Sequence, residues 1–510
     1  MLKSCAFCMG GYMNMRLDIQ NTSTRDKERT EIKSAEDLPP LYYMQELYKR
    51  MVAYDKFLGI EGDSAANQKK ILRRLQMVRV IAKLLKPLLR FEGLFSYFTR
   101  RQIEINSSHS MTPDIWYANI AGHGFFKEMY RQICENNGNP KKPVVWLEWC
   151  LSTELVYAFD ALPVIPETLV AIPLLVMGLE PNQVLCDYAE QAGVPQEYCS
   201  AARNAIGACM AKQYPDPTCI VTVSHPCDSM VSSYQTIEYL TNAPIYRLET
   251  PYWDDARSLD YYTKDMQGLI LFLEKQLGRR LDYDRLRETL TEVNKTNELL
   301  MEINEMCRAV PCPGSGYIHP LTWLARAGGR GMPEVTEVAR RMHDVIRKRF
   351  EKGKGAIKKE KIRVIWFDVP IVFYPLMIWM EETFGAAVVV DLVGYVNTPP
   401  IDTSTPESMI RGLAESYMNL TMARQFHGTI QLFHRDVQKI CKEYNGDCFI
   451  YAGHAGCKHG WASVRLLKEE MKKIGMPLLV LTSDIFDIRM TSETKLKEQV
   501  EEFFITNGLC

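Results

Sequence analysis

Three cysteines stand where a chain of this kind can do chemistry. Cys199, in EYCSAARNAIG, immediately precedes a predicted helix. Cys227, in SHPCDSM, follows the apolar run CIVTV, and Cys457, in AGHAGCKHGW, follows FIYA. Both runs read as buried strands, and each cysteine is reached through a short loop containing Gly or Pro. Unpaired N–H groups at a helix start favour thiolate over thiol, and thiolate is the ligand form for iron–sulfur clusters. Three converging thiolates would hold three irons of a [4Fe–4S] cube and leave the fourth open, as catalytic zinc sites leave a position open. The gaps of 28 and 230 residues carry no local CxxC signature around them, so spacing alone equally allows three ordinary buried thiols. His454 and His459 flank Cys457 and would donate to a cluster sulfur, or stand as simple loop histidines.

Other cysteines carry weaker signals. Cys150 and Cys186 are spare ligands or small buried residues. Cys5-Ala-Phe-Cys8 is a lone CxxC with no second pair, and Cys307 and Cys312 flank a loop. The GGRG at 328–331 lacks the Gly-Lys-Ser/Thr ending and the preceding strand of a phosphate loop.

The elements that must position these residues alternate. The chain has 510 residues and 58.6 kDa, enough for roughly two to four domains. Its 46% hydrophobic and 24% charged composition is that of a globular chain. Lys+Arg of 61 against Asp+Glu of 62 gives no electrostatic reason to expect nucleic acid or an anionic membrane as partner. The most apolar stretches, 161–179 and 364–380, are broken by prolines and acids and read as buried segments, not membrane spans. No secretory leader is visible in MLKSCAFCMGGYMNMRLDIQ, and the expected location is the cytoplasm. Fifteen irregularly spaced cysteines argue against a disulfide framework.

Residues 1–142 read as a mostly helical N-terminal extension. Within the run 69–91, Ile71, Leu72, Leu75, Val78, Ile81, Leu84 and Leu85 fall on one helical face. A first α/β domain is expected over 143–310. Its strands are 144–148, 219–223 and about 245–248. Helices are expected at 151–161, 200–212 and 228–240, with long helices over 261–306. A hinge or lid loop and a bridging helix occupy 311–360. A second α/β domain over 361–510 has strands at 363–367, 387–391, 449–452 and 478–481, separated by helices at 372–383, 406–423, 428–444 and 460–474. The sum is an α/β chain of two doubly wound parallel-sheet domains. In such domains ligands collect beyond the carboxyl ends of strands, where Cys227 and Cys457 fall.

The contexts of Cys199, Cys227 and Cys457 resemble the three cluster cysteines of the 2-hydroxyacyl-CoA dehydratase/benzoyl-CoA reductase family. The likeness runs over about 143–505. It takes in WLEWCLSTELVYAFDALPVIPETL (146–169), CDYAEQAGVPQEYCSAARNAIG (186–207), Cys227-Asp228, GRRLDYDRLRE (278–288), RKRFEKGKGAI ahead of RVIWFDVP, GCKHG, and MPLLVLTSDIFDIRMTSETKLKEQVEEFF (476–504). Each motif is loose; their order across the chain is specific. The likeness is closer to the larger, alpha-type subunit. It implies two flavodoxin-like domains, a [4Fe–4S] cluster on Cys199, Cys227 and Cys457, a smaller homologous beta-type subunit, an acyl-CoA substrate and a separate ATP-hydrolysing iron–sulfur activator. The implied reaction is loss of water from a 2-hydroxyacyl-CoA. The β C–H is not acidified by the thioester, but a ketyl radical made by one added electron expels the α-hydroxyl and acidifies that proton. Glu167, in LPVIPET, matches a family acidic position and would orient substrate or move a proton; as a plain strand-end or helix-cap carboxylate it needs no such role. His454 and His459 would also reach the thioester. Where dehydratase alpha-type subunits carry an active-site serine, this chain has Trp149. That departure raises the alternative of a benzoyl-CoA-reductase-like enzyme; a double-cubane-cluster reductase and a non-catalytic assembly subunit are further alternatives.

Overall fold

The computed structural model describes residues 35–510 apart from 61–63, 92–96, 137–140, 170–179, 254, 315–317, 319–327, 369–374, 421 and 491. Four helices come first: α1 (Tyr42–Leu58), α2 (Ser64–Leu85), α3 (Tyr97–Ser107) and α4 (Pro113–Glu135). Then follow β1 (Val144–Leu147), α5 (Glu154–Ala158), β2 (Leu162–Val164), α6 (Glu180–Gln191), α7 (Ser200–Met210), β3 (Cys219–Val223), α8 (Asp228–Thr241) and β4 (Ile245–Leu248). Three long helices, α9 (Ala256–Leu277), α10 (Tyr283–Met306) and α11 (Pro333–Glu351), lead to the second alternating half. That half comprises β5 (Ile362–Phe367), α12 (Leu376–Phe384), β6 (Ala386–Asp391), α13 (Pro406–Met418), α14 (Ala423–Phe426), α15 (Ile430–Glu443), β7 (Cys448–His454), α16 (Lys458–Lys473), β8 (Leu478–Ser483) and α17 (Glu493–Thr506).

Two parallel four-stranded sheets result, ordered β2-β1-β3-β4 and β6-β5-β7-β8. Numbered within its own half, each sheet runs 2-1-3-4, the doubly wound order in which the chain reverses direction between strands one and three. The central strands are apolar along their whole length because helices cover both faces: every residue of β1, β3, β5, β6 and β7 is buried. One continuous apolar core links both sheets with α4, α10 and α11. The α/β fold class and the helical N-terminal region are as the sequence pattern predicts.

Three local differences have physical causes. The helix expected over 151–161 is the single turn of α5, and the chain then forms β2, a strand the sequence pattern does not predict. Pro163 lies inside β2; it is tolerated because β2 is an edge strand, where a missing N–H breaks no inner ladder. The helix expected over 406–423 divides into α13 and α14, with Met422 between them in the left-handed region at φ 63°. On α2, Ile71 and Leu75 are buried as expected, but Leu84 is 73% exposed. The face it shares with Leu85 leaves the core before Pro87 tightens the chain into a 3₁₀ turn. Most of the segment read as a hinge or lid, and the start of the helix read over 372–383, lie outside the described residues. Among the described residues, no helix is long and apolar enough to cross a membrane.

Candidate active site

Each of the three cysteines is the N-cap residue of a helix: Cys199 of α7, Cys227 of α8 and Cys457 of α16. Cys227 lies on the β3–α8 connection and Cys457 on the β7–α16 connection, at the carboxyl ends of the third strand of each sheet. Glu148 and Trp149 leave β1, and Asp368 leaves β5, at the first strand of each. Both topological switch points therefore open onto one place. There the structure forms a cavity of about 670 Å³ of non-protein space. Glu167, Cys199, Cys227, His454, Cys457 and His459 all line it, with Trp149, Met230, Asp368 and Phe426 among their neighbours. All six residues singled out from the sequence are thus brought to one cavity.

Two glycines allow the approach. A Cβ on Gly207 of α7 would stand 2.0 Å from the Leu185 carbonyl oxygen of α6, so only glycine lets these helices cross at this spacing. A Cβ on Gly456 would stand 2.7 Å from Cys199 Cα and 2.9 Å from its N, so the Cys457 loop rests directly on the backbone of the Cys199 loop. Buried ions brace the same junction. Arg203 of α7 is ion-paired with Glu190 of α6 and, at 3.1 Å, with Asp487 beyond β8, and its Nε donates to the Tyr198 carbonyl at 3.0 Å. Arg489 joins Asp487 at 2.6 Å and Glu190 at 2.7 Å.

Helix N-termini aim N–H groups at the cysteines; Gly460 N–H reaches Cys457 Sγ at 3.4 Å. Burial works against them. It pushes the Cys227 thiol up to about 12, with Cys199 adding to the shift, and pushes Cys457 well above its ordinary value, with Asp368 adding to it. Without a cation beside them these two groups stay thiols, so the thiolate expected from helix position alone requires a metal to displace the proton. Among the described residues, no three His, Cys, Asp or Glu side chains stand close enough to share a single metal ion. Thiols spaced around a cavity suit separate irons of one cluster better than one ion, which would draw all its sulfurs to about 2.3 Å. The donor set therefore fits a multi-iron group.

The polar side chains around the cavity have definite partners. His454 Nε2 lies 3.5 Å from Cys199 Sγ and 3.4 Å from Ser200 Oγ, and Nδ1 lies 3.8 Å from Asp484 Oδ1. Burial opposes its charge, but Asp484 and Cys199 outweigh burial and raise its pKa to about 10. Asp484 is held by Ser200 Oγ at 2.5 Å and by the N–H groups of Phe486 and Asp487, each at 2.9 Å. His459 packs edge-on to Phe426 at 4.9 Å between ring centres, and burial lowers its pKa. Glu167 is buried. Its Oε2 is 3.1 Å from the Tyr234 hydroxyl, and its Oε1 has no hydrogen-bond partner. Burial raises its pKa to about 7 against the pull of its own backbone N–H, Tyr234 and the Trp149 N–H.

Cys150 and Cys186 are buried but do not line the cavity; Cys186 lies 3.7 Å from the Ser200 carbonyl and 3.8 Å from Asn204 Nδ2. Cys307 and Cys312 are buried against each other near the start of the loop region. Cys5 and Cys8 lie outside the described residues. Arg330 of the GGRG run pairs with buried Glu154 at 2.9 Å, a packing role. Sequence reasoning missed Asp368 and Asp484. Both are acids just past the end of a predicted strand, RVIWF and LLVLTS, and that position was the signal that could have found them. Asp368 holds φ 80°, a conformation that costs a non-glycine residue on the order of 1 kcal/mol.

The family model described as 2-hydroxyglutaryl-CoA dehydratase, D-component, matches residues 148–504. One of the two kinds of benzoyl-CoA reductase chain from Thauera aromatica, the one designated B, is 22% identical to this chain over 378 residues, spanning 69% of this chain and 85% of the relative. The matched family segment contains nearly all of both sheets and all six cavity residues, while the N-terminal helices lie outside it. The chain belongs to the 2-hydroxyglutaryl-CoA dehydratase D-component family, and is an enzyme of the 2-hydroxyacyl-CoA dehydratase/benzoyl-CoA reductase kind.

Proposed function

We propose that the chain is the alpha-type, iron–sulfur subunit of an ATP-activated 2-hydroxyacyl-CoA dehydratase of the cytoplasm. The observation that carries this reading is the convergence of three helix-capping cysteines on one cavity with a buried carboxyl in its wall. Cys199, Cys227 and Cys457 would hold a [4Fe–4S] cluster. When bound, that group would supply a Lewis-acidic iron and a low-potential electron to an acyl-CoA thioester. The remaining work falls to the chain itself. Met230, Phe426, Ile485 and Phe486 make the wall apolar and exclude water. Glu167, whose pKa lies near 7, is suited both to hold and to accept a proton. His454, held charged by Asp484, donates from Nε2 toward Cys199 Sγ. The expected partners are a smaller beta-type subunit and an ATP-hydrolysing iron–sulfur activator.

A second reading, the corresponding subunit of an ATP-dependent acyl-CoA reductase, is favoured by Trp149 in the cavity wall, where an indole replaces a small hydroxyl. The likeness to a chain of benzoyl-CoA reductase points the same way. The first test is anaerobic iron and sulfide analysis of the wild type and of Cys199→Ser, Cys227→Ser and Cys457→Ser. Each substitution is expected to lower cluster content sharply, and full retention in all three removes the ligand assignment. The second test supplies activator, ATP and reductant to the complex with an acyl-CoA. Dehydration returns its electron, whereas reduction consumes reductant in proportion to product.

A further inference from the structure

Tyr234 lies seven residues beyond Cys227 on α8, two turns along the same face. It is fully buried, and its hydroxyl is within reach of two oxygens: the Leu147 carbonyl at 2.9 Å and Glu167 Oε2 at 3.1 Å. A phenol has one proton to donate. The Leu147 carbonyl can only accept, a carboxylate can only accept, and a neutral carboxyl can also donate. The two contacts can therefore both be hydrogen bonds only when Glu167 carries a proton on Oε2, which Tyr234 accepts while donating to Leu147. When Glu167 is ionised, its charge outcompetes the neutral carbonyl for the single donor, because a bond to an ionised acceptor is about twice as strong.

We infer that Tyr234 is a positioning residue for Glu167, turning its O–H from the Leu147 carbonyl to Oε2 whenever Glu167 gives up its proton. No covalent bond of Tyr234 breaks; only the acceptor of its proton changes. The proton that Glu167 exchanges passes to or from the cavity, which the same side chain lines and where Oε1 has no protein partner. Both charge states of Glu167 are thereby hydrogen-bonded, which keeps them close in free energy and lets one carboxyl take and return a proton. The ionisable groups facing Glu167 are Glu148 past β1, Tyr234 on α8, Tyr214 ahead of β3 and the Cys150 thiol. Asp368, His454 and His459 line the same cavity. Glu148 is separately anchored, its Oε2 accepting from the Thr222 hydroxyl and from Val223 N–H. Tyr214 donates to the Pro166 carbonyl at 3.3 Å, so neither competes for the Tyr234 proton.

This inference rests on the proposed role of Glu167, but its test needs neither cluster nor turnover. Infrared difference spectra of the protein are recorded against pH, with Glu167→Gln identifying the carboxyl band. In Tyr234→Phe the Glu167 midpoint is expected to rise by about one pKa unit, since the ionised form loses the stronger bond. In wild type with ring-labelled tyrosine, one tyrosine C–O stretch is expected to shift with the same midpoint as the Glu167 band, and to lose that titration in Glu167→Gln. This second measurement stands if Tyr234→Phe does not fold. An unshifted midpoint in Tyr234→Phe, or no tyrosine band following Glu167, overturns the inference. Absence of acyl-CoA turnover with co-titration intact overturns the functional reading alone.

Discussion

Gly456→Ala probes the contact that joins the two cysteine loops. The added methyl would meet Cys199 Cα at 2.7 Å, Cys199 N at 2.9 Å and the Tyr198 carbonyl oxygen at 2.9 Å. Ordinary carbon–carbon contact is about 3.5–4.0 Å, so one loop must retreat by roughly 1 Å. All three opposing atoms are backbone, and no flexible side-chain end can yield in their place. Gly456 does not hold a positive φ, so alanine meets no conformational penalty of its own, and the whole effect is steric. Overpacking of this kind costs about 1–3 kcal/mol. The measurable outcomes are a melting temperature lowered by a few degrees in metal-free protein and a reduced iron and sulfide content after anaerobic reconstitution. Gly124→Ala is the control: it lies inside α4 with nothing within 4 Å of the new Cβ. There alanine is expected to be neutral or to stabilise by about 0.5–1 kcal/mol. If Gly456→Ala melts and binds iron like wild type, the reasoning that this contact sets the spacing of Cys199 and Cys457 is refuted.

Glu148 is fully buried, and burial raises its pKa from 4.5 to about 8. A carboxyl raised on folding contributes stability that is complete below about 4.5 and is lost as pH climbs through about 8, a change on the order of 5 kcal/mol. Glu148→Gln is expected to flatten that part of the stability profile, read by urea unfolding at three pH values; parallel profiles for both proteins would contradict the assignment. Arg203→Met removes the side chain that ties α7 to Glu190 and Asp487. Because Arg489 still pairs with both acids, the loss is expected near the lower end of the range of about 3–5 kcal/mol for a broken buried pair. Denaturant unfolding reads it, and a loss under about 1 kcal/mol, well below that range, would show that Arg489 alone secures the junction.

The alternating pattern was legible in the sequence because fully buried parallel strands are short apolar runs. CIVTV, RVIWF, AVVVD and FIYA each lie within an observed strand to within a residue or two at either end. β2 was not legible, because Leu162-Pro163-Val164 is too short and a proline argues against a strand until its place at the sheet edge is known. The division of α13 from α14 was hidden for a similar reason: it depends on the backbone of Met422, which no local composition signals.

For the site, the sequence determined the residue types and their places at strand ends and helix starts, since Gly, Pro and Cys in short loops follow local rules. It also carried the family resemblance that joined Cys199, Cys227 and Cys457 as a set. Only the tertiary structure decided that these residues, with Glu167, His454 and His459, share one cavity. That follows from two sheets of the same 2-1-3-4 order turning their switch points toward each other. The ion pair of Arg203 with Asp487, the contact of Gly456 with Cys199, and the burial that sets the charge of Glu167 and His454 all depend on residues more than 60 positions apart in the chain. Electrostatics and close packing act through space, so their partners cannot be read from spacing along a strand or helix.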